Sequence, residues 1–346
     1  MSDGAEERGT GLEIPTPRRV VAIGGGTGLP AVLRGFRSLV QAGLVSDLTA
    51  IVAMTDDGGS SGRLRRTRGL PPPGDLRNCL VALSCEEDLL AGLFQHRYGG
   101  DDEVGGHSVG NLILAALAEM TGSMLHAVEM SSRVLRTSGT ILPVTLQDAV
   151  LEADLEDGTR IVGESSIGAC GKRIRRLHLR PEGAAATPGV VEAIQEADLV
   201  VLGPGSLYTS LVPHLLVREV AAAFLRTKAV RVLVANLVGE RGEAAGLGLA
   251  DQIEVLRETA GGSVADAVLV HEGDIESATL DRYRLEGSLP LTVGAEVGCG
   301  GAEVVRRPLL APGPMLRHDS AATAAGILEA WSVGAPRATR RTNGAR

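Results

Sequence analysis

Aromatic side chains are what this 346-residue chain has least of: three Phe, three Tyr and one Trp, 2% in all. With so few rings and a formal net charge of -8, it lacks the stacking platforms and the basic field that nucleic acid binding requires. Cysteine is scarce too. Cys79, Cys85, Cys170 and Cys299 form no C-x-x-C pair and no zinc spacing, which argues against a disulfide framework and fits free thiols in a reducing compartment. Cys79 and Cys85 fall in a helix-like stretch and read as packed. No apolar run reaches membrane-spanning length, and the opening MSDGAEERGTGLEIPTP is polar and acidic where a signal peptide is basic and then apolar. A cytoplasmic protein without membrane insertion is therefore expected.

Apolar mass is plentiful. Hydrophobic residues make up 44% of the chain, enough for a large core that needs no staple. Residues 1–17 and 333–346 lack apolar periodicity and read as flexible tails, the second of them basic. Between them, short buried-strand runs at Arg19–Ile23, Leu48–Met54, Ala197–Gly203, Val230–Leu237 and Ala267–Gly273 alternate with helical spacing. Examples are Leu29, Val32, Leu33 and Phe36, or Val109, Leu112, Ile113 and Ala116 behind an N-cap at Ser108. A helical stretch is expected over Asp75–Leu93 and a closing helix over Ser320–Trp331. The rhythm breaks over 143–180, where apolar residues alternate on both sides of Asp157-Gly158, a dipeptide suited to a type I′ hairpin turn. The expectation is one α/β domain over 18–332, Rossmann-like, with a mostly parallel sheet, helices on both faces and an inserted antiparallel hairpin element.

Five loops carry the candidate chemistry. GGGTGLP follows the first strand directly and opens a helix. There Gly25, Gly26, Thr27 and Gly28 let the backbone approach an anion held by free N–H groups and the helix dipole. No Lys-Ser/Thr pair follows, which excludes the P-loop of nucleotide hydrolases. TDDGGSSG ends the second strand. Asp56 and Asp57 could accept hydrogen bonds from a sugar or hold Mg²⁺ through water, or simply belong to an exposed turn; Arg63, Arg65, Arg66 and Arg68 follow, as a phosphate clamp or a solvated surface. PPPGDLRN brings Asp75 and Asn78 to a helix start, where Asp75 is either an N-cap or part of the site. GGHSVGN places His107 and Asn111 at the mouth of the best helix, His107 being a general base, a phosphate donor or a histidine satisfied by backbone carbonyls. GPGSLYTSLVP offers Gly203, Pro204, Gly205, Ser206, Tyr208, Thr209 and Ser210 in one segment after a buried strand, which reads as a second oxyanion nest. Two such cradles at one sheet edge, flanking a topological switch point, suit a nucleotide diphosphate.

In combination, IGGGTGLP, DDGGSSGRLR, PPGDLRN, GHSVGNL, DLEDGTRIVGES and VLGPGSLYTSLVPHLLV resemble the gluconeogenesis factor family, in the superfamily that includes the 2-phospho-L-lactate transferases. The likeness runs from about Arg19 to about Leu237 and thins afterwards. It implies a Rossmann-like sheet that binds a UDP-sugar such as UDP-N-acetylglucosamine, a link between carbon metabolism, cell-envelope synthesis and cell shape, and no established reaction. Carried over by position, it also implies Asn236 as a cleft residue. Two positions depart from the pattern: Leu247 stands where a tyrosine is usual, and His214 where an asparagine is usual.

The expected partners are thus a UDP-sugar ligand and a regulatory protein of cell-envelope synthesis, with homo-oligomerisation left open and no nucleic acid. No catalytic residue, metal or cofactor is assigned. The competing reading is a transferase that moves a phospho-acid group from a guanosine-diphosphate-activated donor to a deazaflavin, with Mg²⁺ near Asp56 or Asp57. A nicotinamide-dependent dehydrogenase would share the first loop but lacks the acid expected after it. Thr339 and Thr342, beside arginines, are accessible phosphorylation candidates in the expected tail.

Overall fold

A computed structural model describes residues 16–85, 89–239, 242, 244, 246–285, 288, 291 and 301–344. The strand β1 (Arg19–Gly24) and β2 (Asp47–Val52) each bury every residue after the first. Such continuous burial marks a parallel sheet covered on both faces. Helix α1 (Gly28–Gln41) connects them. Next come α2 (Gly59–Arg68), α3 (Gly74–Leu83), α4 (Leu89–Gln95), α5 (Val109–Thr121), α6 (Met124–Leu135) and the edge strand β3 (Thr140–Pro143). A small antiparallel sheet of β4 (Val150–Leu155), β5 (Arg160–Val162) and β6 (Ile174–Arg180) interrupts the series, with α7 (Glu164–Ala169) inside it.

The chain then returns to the main sheet through α8 (Val190–Glu196) and β7 (Leu199–Leu202). A π-helical turn, Leu207–Leu211, leads into α9 (Val212–Leu216) and α10 (Arg218–Arg226), then β8 (Val230–Val234), α11 (Leu249–Ala260), β9 (Ala267–His271), α12 (Ser277–Leu285), β10 (Glu303–Arg307) and α13 (Ser320–Gly344). The order across the sheet is β10-β9-β8-β7-β1-β2-β3, every pairing parallel. After β1 the chain winds one way and after β7 the other, so right-handed crossovers put α1, α3 and α13 in one layer and α8 to α11 in the other. The direction reverses between β1 and β7. The expected fold class is borne out.

Several local expectations differ. The stretch 75–93 is two helices, because the backbone turns extended at Ser84. The hairpin turn is not type I′: Asp157 has no positive φ, and a bond of 3.1 Å from Gly158 N to the Leu155 carbonyl closes a turn in which Gly158 alone is left-handed, at φ 83. That is a three-residue loop with a glycine bulge. The arginine-rich segment after TDDGG is the helix α2, not a loop. Cys79 is buried as expected, whereas Cys85 lies exposed past the end of α3; Cys299 lies outside the described residues.

The expected N-terminal tail lies outside the described residues except for 16 and 17. The expected C-terminal tail is helical instead: α13 continues through Pro336 to Gly344. Its inner face explains this, since Ala338 is buried and a Cβ on Gly334 would stand 2.7 Å from Val230 Cγ1, so the helix backbone lies directly on the sheet. No helix among the described residues is long and apolar enough to cross a membrane.

Candidate functional site

At the carboxyl end of the sheet, where β1 and β7 lie side by side, the two glycine loops meet. A Cβ on Gly28 would collide with the Pro204 carbonyl, and one on Gly205 would stand 3.0 Å from Ser210 Cβ and 3.7 Å from the Gly25 carbonyl oxygen. Glycine is required at these positions because backbone packs on backbone. The loops open into one cleft of about 920 Å³, within the range of small-molecule sites. Thr27, Gly28, Ala31 and Arg34 form one wall, Pro204, Gly205, Ser206 and Thr209 a second, and Asn236 to Gly239 the floor after β8. The far wall comes from late in the chain: Tyr283, Leu316, Arg317 and His318.

Arg34 and Arg317 both line this cleft, and neither guanidinium group has a hydrogen-bond or ion-pair partner among the described residues. Burial and the nearby Arg37 and Arg317 charges lower the Arg34 pKa. Two guanidinium groups beside a doubled glycine turn have the chemistry to hold an anion. His318 hydrogen-bonds the Ala235 carbonyl at 3.2 Å, and burial pushes its pKa down to about 4, so it meets a ligand as a neutral ring.

Asn236, on the cleft floor, ties its amide to the second glycine loop. Its Oδ1 accepts from Gly205 N at 3.0 Å and its Nδ2 donates to the Gly205 carbonyl at 2.9 Å, a two-point clasp that sets the second loop. Asn78 also lines the cleft. Its Oδ1 accepts from Arg77 Nη2 at 2.7 Å, so Arg77 fixes its amide plane at the cleft wall.

Other expected site residues sit behind the cleft. Arg77, buried, also donates to Ser108 Oγ at 2.5 Å and to Asn111 Oδ1 at 3.2 Å; Asn111 Nδ2 donates to Ser60 Oγ at 3.0 Å, and Ser60 Oγ pairs with His107 Nδ1 at 2.9 Å. His107 and Asn111 are therefore consumed by an internal network. Burial, then Arg63 and Arg97, lower the His107 pKa. Hydroxyl and imidazole stand at nucleophile–base distance, with Ser60 4% exposed.

Asp56 Oδ1 accepts from Gly58 N at 2.9 Å, an Asx turn within its own loop. Asp57 Oδ1 accepts from Ser165 N at 2.8 Å, and Thr55 Oγ1 donates to Glu164 at 2.5 Å, so this loop clasps the inserted element. Burial raises the Glu164 pKa well above its usual range. Tyr208 is packed in the core, because the π-helical turn rotates it inward; Ser210 is buried beneath Gly25 and Gly26; and Gly203 N bonds the Ile23 carbonyl at 2.9 Å. Of the two departures, His214 is fully buried and Leu247 is half-buried against the core.

Asp75 is not the N-cap that one of its two expectations made it. The N-cap of α3 is Pro73, and Asp75 Oδ2 accepts from Gly26 N at 2.6 Å, inside the first glycine turn. Burial of the carboxyl group, with Asp56 nearby, pushes its pKa up to about 6 against the Gly26 hydrogen bond. Arg34 was legible in principle, since Thr27, Ala31 and Arg34 follow helical spacing on one face. Tyr283, Arg317 and His318 carry no sequence signal that ties them to the glycine loops.

The sequence matches the family described as 2-phospho-L-lactate transferase CofD over residues 20–310, farther than the motif resemblance reaches. The gluconeogenesis factor of Bacillus subtilis is 40% identical over 304 residues, covering 87% of this chain and 94% of that protein. A relative from Nostoc sp., also designated a gluconeogenesis factor, is 46% identical over 279 residues, which span 80% of this chain but 60% of its own length. The crystal structure of a Bacillus halodurans protein, 38% identical, covers 90% of this chain and 99% of that one with a TM-score of 0.86. The chain belongs to the gluconeogenesis factor family, within the broader family of 2-phospho-L-lactate transferase CofD.

Proposed function

We propose that this chain is a non-catalytic, cytoplasmic receptor for a UDP-sugar, UDP-N-acetylglucosamine or a close relative, which reports precursor supply to cell-envelope synthesis through a protein partner. The observation that carries this reading is the meeting of the two glycine loops at the β1/β7 reversal, in a cleft lined by Arg34 and Arg317. A diphosphate spans two adjacent nests. Tyr283, half-buried in the far wall, offers the ring face that a pyrimidine or sugar packs on. The designation of its relatives as gluconeogenesis factors supports the link to carbon metabolism. Isothermal titration with UDP-N-acetylglucosamine tests the reading: saturable binding supports it, and no saturable heat at millimolar ligand removes it.

The family's description favours the second reading, a transferase. It would place Mg²⁺ near Asp56 or Asp57, a cation that one or two carboxylates and the substrate phosphates suffice to hold. Asp56 and Asp57 each already accept a backbone N–H. Release of guanosine monophosphate from an activated phospho-acid donor mixed with protein and deazaflavin alcohol would support it.

A further inference from the structure

The first glycine turn is not an open nest. Asp75 Oδ2 lies 2.6 Å from Gly26 N and would stand 2.8 Å from a Cβ on Gly25, so a protein carboxylate fills the concavity where a ligand phosphate would be expected. Among the described residues Asp75 has no ion-pair partner. Arg77, two residues on along α3, spends its terminal nitrogens on Ser108, Asn111 and Asn78. The other titratable groups that face Asp75 are Asp56 after β2 and Glu164 on α7, which oppose its ionisation, and the Cys79 thiol on α3, which burial keeps neutral.

We infer that Asp75 is a specificity-determining residue: by occupying the nest it makes an arriving phosphate enter together with a proton, and so favours a capped diphosphate over one that ends in a free, dianionic phosphate. The inference rests on the nucleotide-sugar reading above. Its chemistry is a simple balance. A ligand anion at Thr27 and Gly28 would follow directly along the turn whose Gly25 and Gly26 hold the Asp75 carboxylate, and their repulsion would be relieved when one solvent proton joins Asp75. A capped diphosphate brings one negative charge per phosphate and does not itself titrate near neutrality. A terminal phosphate brings up to two, with a second pKa of about 6.

The sign follows from where Asp75 starts. With its free-state value at about 6 and a higher value in the complex, proton uptake accompanies binding from about pH 6 upward, and affinity falls as pH rises. Titrations with UDP-N-acetylglucosamine and with UDP, in pairs of buffers of unlike ionisation enthalpy from pH 5.5 to 8, read this directly. The native chain should take up a fraction of a proton near pH 7, and its Kd for the UDP-sugar should weaken about tenfold between pH 6 and 8. At pH 8 the preference for the UDP-sugar over UDP should be about tenfold larger than in Asp75→Asn, whose amide oxygen still accepts from Gly26 N–H, and the variant should take up no proton.

Uptake that persists in Asp75→Asn, with His107 or His318 as its source, overturns the inference. Saturable binding without uptake in the native chain overturns it too and leaves the nucleotide-sugar reading intact. Absence of binding at every pH overturns that reading and the inference together. Should Asp75→Asn fail to fold, infrared difference spectra of the native chain decide: a protonated-carboxyl band must grow on adding UDP-N-acetylglucosamine at pH 7, and its absence counts against Asp75.

Discussion

The two edges of the seven-stranded sheet treat buried charge in opposite ways. At the amino edge, Arg231 at the start of β8 is 1% exposed and meets Asp266, just before β9, at 3.2 Å. The same carboxylate accepts from Arg231 N at 2.9 Å, the Phe224 ring lies 5.6 Å from the guanidinium carbon, and charge matches charge. At the carboxyl edge the charges are not paired with one another: Asp56, Asp57, Asp75 and Glu164 crowd together, and among the described residues Arg77 Nε and the Arg34 and Arg317 guanidinium groups have no partner. A closed ion pair stabilises one arrangement of the chain; open, frustrated charges are what a ligand completes.

The largest effect should come from breaking the closed edge. Asp266→Asn removes the carboxylate that pairs with the buried Arg231 charge, and the cost should be about 3–5 kcal/mol in urea unfolding. UDP-N-acetylglucosamine affinity of the folded fraction should change less than twofold. If binding fell in step with stability, the two edges would not be separable as drawn here.

His214 lies between the edges, fully buried, with Nε2 3.2 Å from the Ile51 carbonyl. Burial pushes its pKa down to about 4. The native state therefore refuses a proton that the unfolded chain accepts near its ordinary value of about 6.5. Stability is full above that pH and drains as pH falls toward 4, by up to about 3 kcal/mol. Unfolding free energies measured from pH 7 to 4 should show this slope, and His214→Asn should flatten it without moving the carboxyl-edge charges.

Asn236→Ala sharpens the comparison from the other side. Losing both bonds to Gly205 should loosen the second loop and weaken UDP-N-acetylglucosamine binding about tenfold, at roughly 1 to 2 kcal/mol, with little change in unfolding midpoint. Calorimetric titration against urea melts separates the two quantities.

How much of this was legible beforehand depended on whether a constraint is local. The glycine loops announced themselves because close backbone approach demands glycine in a short run, and continuous apolar strands announced a parallel sheet. The cleft's charges did not. Asp75 looks the same in sequence whether it caps α3 or reaches back 49 residues to Gly26. Tyr283, Arg317 and His318 join the site only because the sheet order sets β8 and β9 beside β7. Tyr208 and His107 were read as ligand contacts because polar atoms near a loop look available; folding turned one inward and tied the other to Ser60. The C-terminal helix escaped because Pro336 and its arginines read as a break, while the buried Gly334 and Ala338 that hold it down are too small to register as an apolar face.

Leu247 supplies the smallest expected effect and the cleanest test of which residues belong to the carboxyl edge. Position in the family pattern makes it the missing aromatic, a loss that should weaken ligand stacking. The fold contradicts that: Leu247 packs against the core, its N–H bonds the Ala244 carbonyl at 3.1 Å, and it is not part of the cleft lining, where Tyr283 supplies a ring instead. Leu247→Tyr should therefore leave UDP-N-acetylglucosamine affinity within twofold of the native value, while Tyr283→Ala should weaken it about tenfold, since one stacked ring contributes roughly 1 kcal/mol. A gain in affinity on restoring tyrosine at 247 would mean that the ligand reaches past Asn236 into the segment before α11, and that the carboxyl edge extends farther than the arginine-lined cleft.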